Sequence, residues 1–223
     1  MPKVSVIIPC YNQGEYIEEA IDSVLSQSYQ DFEIIVIDDG SDDPGTISLL
    51  AGLQKNKTTV FTIANAGVAA ARNFGISKSK GTYILPLDAD DWIDSRFLSL
   101  AIPLLEQNTA YELIGTGVQY FGEMDQKEFL PLYEPQQHLL QNLFFNTSLF
   151  RRVSFDKLNG YDESFRLGWE DWEFYLRLVS HQSQVFIINE YLYHYRIKKI
   201  SRNADLQNGK KKYGEGSRAK FTI

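Results

Sequence analysis

Four apolar runs alternate with amphipathic segments along the first half of this chain, and few architectures satisfy that order. Lys3–Pro9 (KVSVIIP) and Phe32–Ile37 (FEIIVI) are β-branched and almost continuously apolar, so they read as strands buried on both faces. Thr59–Ala64 and Gly81–Leu87 read as two more strands. Between them, Glu15–Gln27 places Ile17, Ala20, Ile21, Val24 and Leu25 at helical spacing. Thr46–Gln54, the Ala-rich Val68–Lys78 and Ser95–Gln107 also read as helices. Strand–helix–strand units imply a Rossmann-like α/β fold, a mostly parallel sheet with right-handed crossovers and flanking helices. A chain of 223 residues accommodates one core. Residues 1–205 are therefore expected to form a single domain with halves 1–112 and 113–205, and 206–223 a basic, mobile tail.

The second half is less regular. Leu113–Phe121 reads as a strand, Glu123–Gln137 as a polar loop and Leu139–Leu149 as a short helical or mixed segment. Glu170–Ser180 reads as a helix with Trp172, Tyr175, Leu176 and Val179 on one face. Val185–Ile188 and Leu192–Arg196 suggest two short strands.

Ligands of parallel sheets bind beyond the carboxyl ends of the strands. Polar clusters stand there after three of the four: Tyr11-Asn12, Asp38-Asp39 and Asp88-Ala89-Asp90-Asp91. Three clusters on one sheet edge predict one site. The last puts three carboxylates within four residues, which repel one another unless something offsets them. With three histidines and one cysteine in the chain, that positive partner is expected from outside the protein. Two carboxylates at D-x-D spacing can share a divalent cation, Mg²⁺ or Mn²⁺ rather than zinc. Helix capping by Asp91 or Asp94 accounts for one acid but not for three.

The remaining polar features admit two readings each. Asp38–Asp43 is a solvated turn, with Gly40 at positive φ, or an acceptor for a base N–H and ribose hydroxyls. Arg72 on its Ala-rich helix is solvated, or pairs with phosphate or with the acidic cluster. The pair Glu170-Asp171 complements a helix dipole, or turns one carboxylate into the cleft, since adjacent helical residues diverge by about 100°.

Composition removes other classes. With 22 Lys+Arg against 29 Asp+Glu, a net charge of −7 argues against broad binding to a nucleic-acid backbone. The single Cys10 excludes an internal disulfide and a thiolate metal cage, and reads as a packing residue. No run approaches the roughly 18 apolar residues of a membrane span.

Taken in order, VSVIIPCYN, IVIDDGSDD, NAGVAAARNFGI, LPLDADDW, GYDESFRLGWEDWEFYLRL and YHYRIKKISRN resemble the inverting glycosyltransferases of family 2, with the GT-A fold. The resemblance runs from Val4 to about Arg202. It implies a nucleotide-diphosphate-sugar donor, a UDP-sugar first, a saccharide or lipid-linked saccharide acceptor, and metal-dependent transfer with Mn²⁺ or Mg²⁺. It places Pro9, Tyr11 and Asn12 in the nucleotide pocket, Asp39 on the base, Arg72 as a donor-site cation, Asp88 on the ribose and Asp90 on the metal. Asp171 matches the family's base, while Asp91, Trp169 and Glu170 fall on the acceptor side. The resemblance also implies surface-polysaccharide synthesis in the cytoplasm, at the inner face of the membrane, with peripheral membrane association.

One motif departs from the family. Many relatives read Tyr-Arg-x-His where this chain has Tyr195-Arg196-Ile197-Lys198. A protonated lysine cannot ligate a metal but can pair with phosphate oxygens. Lys198, Lys199 and Arg202 are therefore expected near the diphosphate. Two competing readings remain. A nucleotidyltransferase wants a Gly-rich, basic phosphate loop after the first strand, which Pro9-Cys10-Tyr11-Asn12 does not offer. A non-catalytic nucleotide-sugar or carbohydrate-binding protein of the same fold has no need of Asp39, Asp88, Asp90 and Asp171 together.

Overall fold

The structure, a computed structural model, describes residues 1–131, 133–166, 168–179 and 184–198. The chain opens with β1 (Val4–Cys10), α1 (Ile17–Leu25), β2 (Phe32–Asp38), α2 (Pro44–Gly52), β3 (Thr58–Thr62), α3 (Val68–Lys78) and β4 (Tyr83–Pro86). Strands β3-β2-β1-β4 lie side by side and all run parallel, as their apolar runs imply. Helix α2 begins two residues before its apolar pattern does. Asp43 caps it by accepting the Thr46 N–H at 2.7 Å, and Pro44 sits in its first turn.

Alternate residues of the central strands feed two cores. Val6, Ile8 and Val36 pack with Ile17, Ile21 and Val24 of α1. Ile7, Ile35 and Ile37 pack with Ala69, Ala71 and Ile76 of α3 on the opposite face. Burial on both faces is why these runs carry no polar alternation, and each such side chain removed from water contributes about 1.5–3 kcal/mol. A Cβ on Gly75 would lie 2.4 Å from Ile37 Cδ1. The small residue there serves close helix–sheet contact.

The chain continues through β5 (Trp92–Ile93), α4 (Phe97–Gln107), β6 (Tyr111–Gly122), β7 (Gln126–Glu128), α5 (Pro135–His138), β8 (Leu149–Arg151), α6 (Arg152–Lys157), α7 (Glu170–Leu178) and β9 (Gln184–Ile197). The sheet extends β4-β8-β6-β9-β5, with β7 added to β6. Strand β8 is antiparallel to β4 and β6, and β5 is antiparallel to β9. The sheet is thus parallel through the first half and mixed beyond it.

Three expectations for this half change. The two strands expected at Val185–Ile188 and Leu192–Arg196 are one long strand parallel to β6. The polar Asn189-Glu190 that seemed to separate them is absorbed by a register shift, since Thr116 pairs with Ile188 and Gly117 with Tyr191. The loop expected at 123–137 contains β7 and α5. The segment expected to be helical or mixed at 139–149 is irregular up to 148, where β8 takes over, and it buries Leu143 and Phe144 in the core on the α3 side. Residues 199–223, with the expected tail, lie outside the described residues.

Candidate active site

The turns after β1 and β2 lock together. Pro9 is buried in β1 opposite Ile37, while Tyr11 beyond it is 45% exposed. Asn12, at φ 54°, donates to Asp42 Oδ1 at 2.6 Å and accepts the N–H groups of Asp42 and Asp43 at 3.0 Å each. Asp39 is buried and accepts the N–H groups of Ala66 at 2.8 Å and Gly67 at 2.9 Å. Its carboxylate therefore anchors the loop leading into α3. Gly40 is at φ 67°, and a Cβ there would meet Asn65 N at 2.6 Å, so glycine is required where the loops touch. Cys10 is buried, and burial pushes its thiol up to about 11, which fits packing.

Each acid of the Asp88–Asp91 turn has its own partner, and the protein supplies the cations. Arg72 of α3 is 1% exposed and donates through Nη2 to Asp88 Oδ1 at 2.8 Å and through Nη1 to Glu170 Oε1 at 2.7 Å. Burial works against its charge, but Asp88 and Glu170 outweigh that and raise its pKa above the ordinary value. Asn146 Nδ2 donates to the same Asp88 oxygen at 3.2 Å. Lys198 Nζ sits 2.5 Å from Asp90 Oδ2. Asp91 is buried, accepts the Tyr193 hydroxyl, and accepts the Arg196 N–H at 2.8 Å. Burial, then the charges of Asp90 and Asp88, push its pKa well above the carboxylate range. Beside any ion arriving from outside, the protein supplies positive partners of its own: α3 and the end of β9 both reach the turn.

Strand β9 closes the edge. Arg196 donates through Nε to the Asp90 carbonyl at 2.9 Å and lies over the rings of Phe121 and Tyr16 at 4.3 and 4.6 Å. His194 stacks on Trp92, with ring centroids 3.3 Å apart. Lys199 and Arg202 lie outside the described residues.

On the other side, Gly168 at φ 117° and Trp169 at φ 70° turn the chain into α7. Adjacent residues then diverge as helical geometry requires: Glu170 is buried against Arg72, while Asp171 is partly exposed. Burial, then the charge of Glu170, push Asp171 up to about 6, with Arg72 opposing. Asn142 Nδ2 donates to Asp171 Oδ2 at 3.1 Å. A carboxylate poised near 6 is suited to accept a proton at neutral pH.

Asn142 is a site residue that sequence reasoning missed, and Asn146 lies in a segment, Phe145–Ser148, expected on the acceptor side rather than against Asp88. Both come from the irregular segment, where Tyr175 Oη donates to the Asn146 carbonyl at 2.6 Å. Their signal was present: Gln141, Asn142, Asn146, Thr147 and Ser148 stand among the Leu and Phe residues of Leu139–Phe150, and a polar group among apolar neighbours needs a partner. Their targets belong to elements distant in sequence and could not be read from it.

The divalent ion expected at Asp90 meets an unfavourable donor set. Asp90 already carries an ammonium, Asp88 is held by Arg72 and Asn146, and Asp91 is turned inward to Tyr193. Among the described residues no group of three His, Cys, Asp or Glu side chains is placed to hold a metal. Among the same residues no helix is long and apolar enough to cross a membrane.

Comparison with known proteins gives a consistent result. The family model for glycosyl transferase family 2 matches residues 5–172. The uncharacterized glycosyltransferase EpsJ of Bacillus subtilis is 33% identical over 88% of this chain and 61% of its own length. An uncharacterized glycosyltransferase of Haemophilus influenzae is 31% identical over 84% of this chain and 79% of its own. The structure of S. aureus TarS 1-349 in complex with UDP-GlcNAc has a TM-score of 0.76 at 19% identity, covering 91% of this chain and 60% of that one. The mannosyltransferase PcManGT of Pyrobaculum calidifontis, in complex with GDP-Man and Mn²⁺, has a TM-score of 0.70 at 20% identity, covering 91% and 59%. These structures share the fold, and this chain spans about 60% of each. The strands from β2 to β8, most of β1, the acidic turns and the start of α7 fall within the matched span, β9 lies beyond it, and the chain belongs to glycosyl transferase family 2.

Proposed function

We propose that this chain transfers a sugar from a nucleotide-diphosphate donor, a UDP-sugar, to a hydroxyl of a saccharide or lipid-linked saccharide, with inversion at the anomeric carbon. One observation carries the reading: Asp171 stands in the first turn of α7 beside Glu170, which Arg72 ties to Asp88 at the sheet edge. Asp171 takes the acceptor proton as the hydroxyl oxygen bonds to the anomeric carbon. The bond from that carbon to the diphosphate breaks, and the diphosphate leaves with the electron pair. One displacement inverts the centre. Pro9, Tyr11, Asn12, Asp39 and Asp88 form the nucleotide side, with Arg72 holding Asp88 rather than reaching the donor. Trp169 borders the acceptor side, while Glu170 and Asp91, expected there too, are buried and hold Arg72 and the end of β9 instead. The bound UDP-GlcNAc of TarS supports the choice of donor. Mn²⁺ or Mg²⁺, expected from the family, would have to displace Lys198 from Asp90. Synthesis of surface polysaccharide at the inner membrane face is the setting this chemistry fits.

The test is a thermal-shift screen of UDP-, GDP-, dTDP- and CDP-sugars, followed by donor turnover in wild type and Asp171→Asn. Stabilisation by UDP-sugars is expected, with turnover falling about 10³-fold in the variant. Equal turnover in Asp171→Asn removes the assigned base. Binding without turnover across a broad acceptor panel would leave a nucleotide-sugar-binding protein instead.

A further inference from the structure

The cation on Asp90 is built in from all sides. Lys198 Nζ lies 2.5 Å from Asp90 Oδ2 and 3.0 Å from Gln13 Oε1, and 4.8 Å from the centre of the Tyr16 ring. These groups come from the loop before α1, the turn after β4 and the end of β9, so the fold itself delivers the ammonium to the carboxyl edge. The Asp90 and Lys198 side chains are 18% and 21% exposed, enough to reach an arriving ligand. The backbone beside them is held as well, because Arg196 bonds both the Asp90 carbonyl and the Asp91 carboxylate. A divalent ion on Asp90 would stand against this ammonium, and like charges disfavour one another.

We propose that Lys198 is the diphosphate-binding cation of this site, and that nucleotide-diphosphate binding by this chain needs no divalent ion. The inference rests on the donor class proposed above. A leaving diphosphate requires positive charge where its own develops. Lysine carries three donors on a flexible stem, so Nζ keeps Asp90 while turning a second N–H to a phosphate oxygen. Asp90 then positions the ammonium instead of ligating a metal.

The experiment is isothermal titration of the intact chain with UDP, GDP, dTDP and CDP, in EDTA and again in millimolar Mn²⁺. For the tightest binder, the two dissociation constants are expected to agree within about twofold. Lys198→Met is expected to weaken that nucleotide in EDTA by about tenfold or more. Affinity for the corresponding nucleoside stays unchanged, which also reports that the variant is folded. Lys198→His removes the opposing charge and adds an imidazole ligand. It is expected to make binding Mn²⁺-dependent, with bound Mn²⁺ seen by electron paramagnetic resonance. Wild-type binding abolished by EDTA and restored by Mn²⁺ overturns the proposal, as does unchanged EDTA-state affinity in Lys198→Met. Absence of binding by all four nucleotides in both buffers overturns the donor reading itself, and the proposal with it.

Discussion

Two cations grip the same acidic turn from opposite sides, and they differ chiefly in burial. Arg72 is 1% exposed and bridges Asp88 to Glu170, whose side chain is 3% exposed. Lys198 and Asp90 keep about a fifth of their side-chain surface in solvent. Both contacts are charge-assisted and short, so a list of ion pairs would rank them together. Desolvation separates them. Removing one partner of a buried pair strands the other charge, whereas a half-open pair can trade its partner for water or a ligand. Arg72 therefore belongs to the framework, and Lys198 has the freedom a binding group needs.

The largest expected effect follows from that contrast. Arg72→Met leaves Glu170 buried without its guanidinium and should cost about 3–5 kcal/mol of unfolding free energy by urea denaturation. Lys198→Met should cost less than about 1 kcal/mol in the same measurement. Adding Glu170→Gln to Arg72→Met should recover much of the loss, because it removes the stranded charge. Equal destabilisation by the two single variants would break the distinction.

Asp171 comes next. Its folded pKa of about 6 lies above the usual carboxylate value near 3.9, so the folded chain holds the proton more tightly. Ionising it removes stability as pH rises from about 4 to 6, and the loss is complete above that window. Asp171→Asn should therefore raise the melting temperature by a few degrees at pH 8 and leave it unchanged at pH 4. Activity runs the other way, since the base must be ionised, and kcat/KM should rise with pH to a plateau above about 6. A more stable but inactive variant at pH 8 would identify Asp171 as a group kept at a cost to the fold.

The half of the molecule that carries Arg72 was open to sequence reading, and the half that carries Lys198 was only partly so. The β1, β2 and β4 runs are buried on both faces, so composition alone marks them, and their parallel order follows from the helices between. Beyond residue 112 the sheet turns mixed, and β9 is read as two strands because Asn189-Glu190 breaks its pattern. What resolves that break is a register shift against β6, a non-local pairing invisible to a short window. The site shows the same division. The aspartates are legible because they follow strands. Their partners are less so: Arg72 pairs with the acidic cluster in only one of its readings, Asn146 is not read as a partner of Asp88, and Lys198 is read toward phosphate, because they come from elements 16, 58 and 108 residues away.

The smallest effect tests the missed amide. Asn142 donates to Asp171 Oδ2 at 3.1 Å and accepts the Phe144 N–H at 3.2 Å. A donor to a carboxylate favours its charged form, so removing it should raise the pKa of Asp171 further. Asn142→Ala should move the acid limb of kcat/KM upward from about 6 by a few tenths of a pH unit. At pH 8, where the base is ionised in both proteins, the loss in kcat should shrink to a few-fold and reflect orientation alone. Asn142→Ser, which keeps a donor, should restore part of the wild-type profile. A uniform drop in rate with an unmoved limb would assign Asn142 to packing of the irregular segment, where Leu143 and Phe144 beside it are already buried.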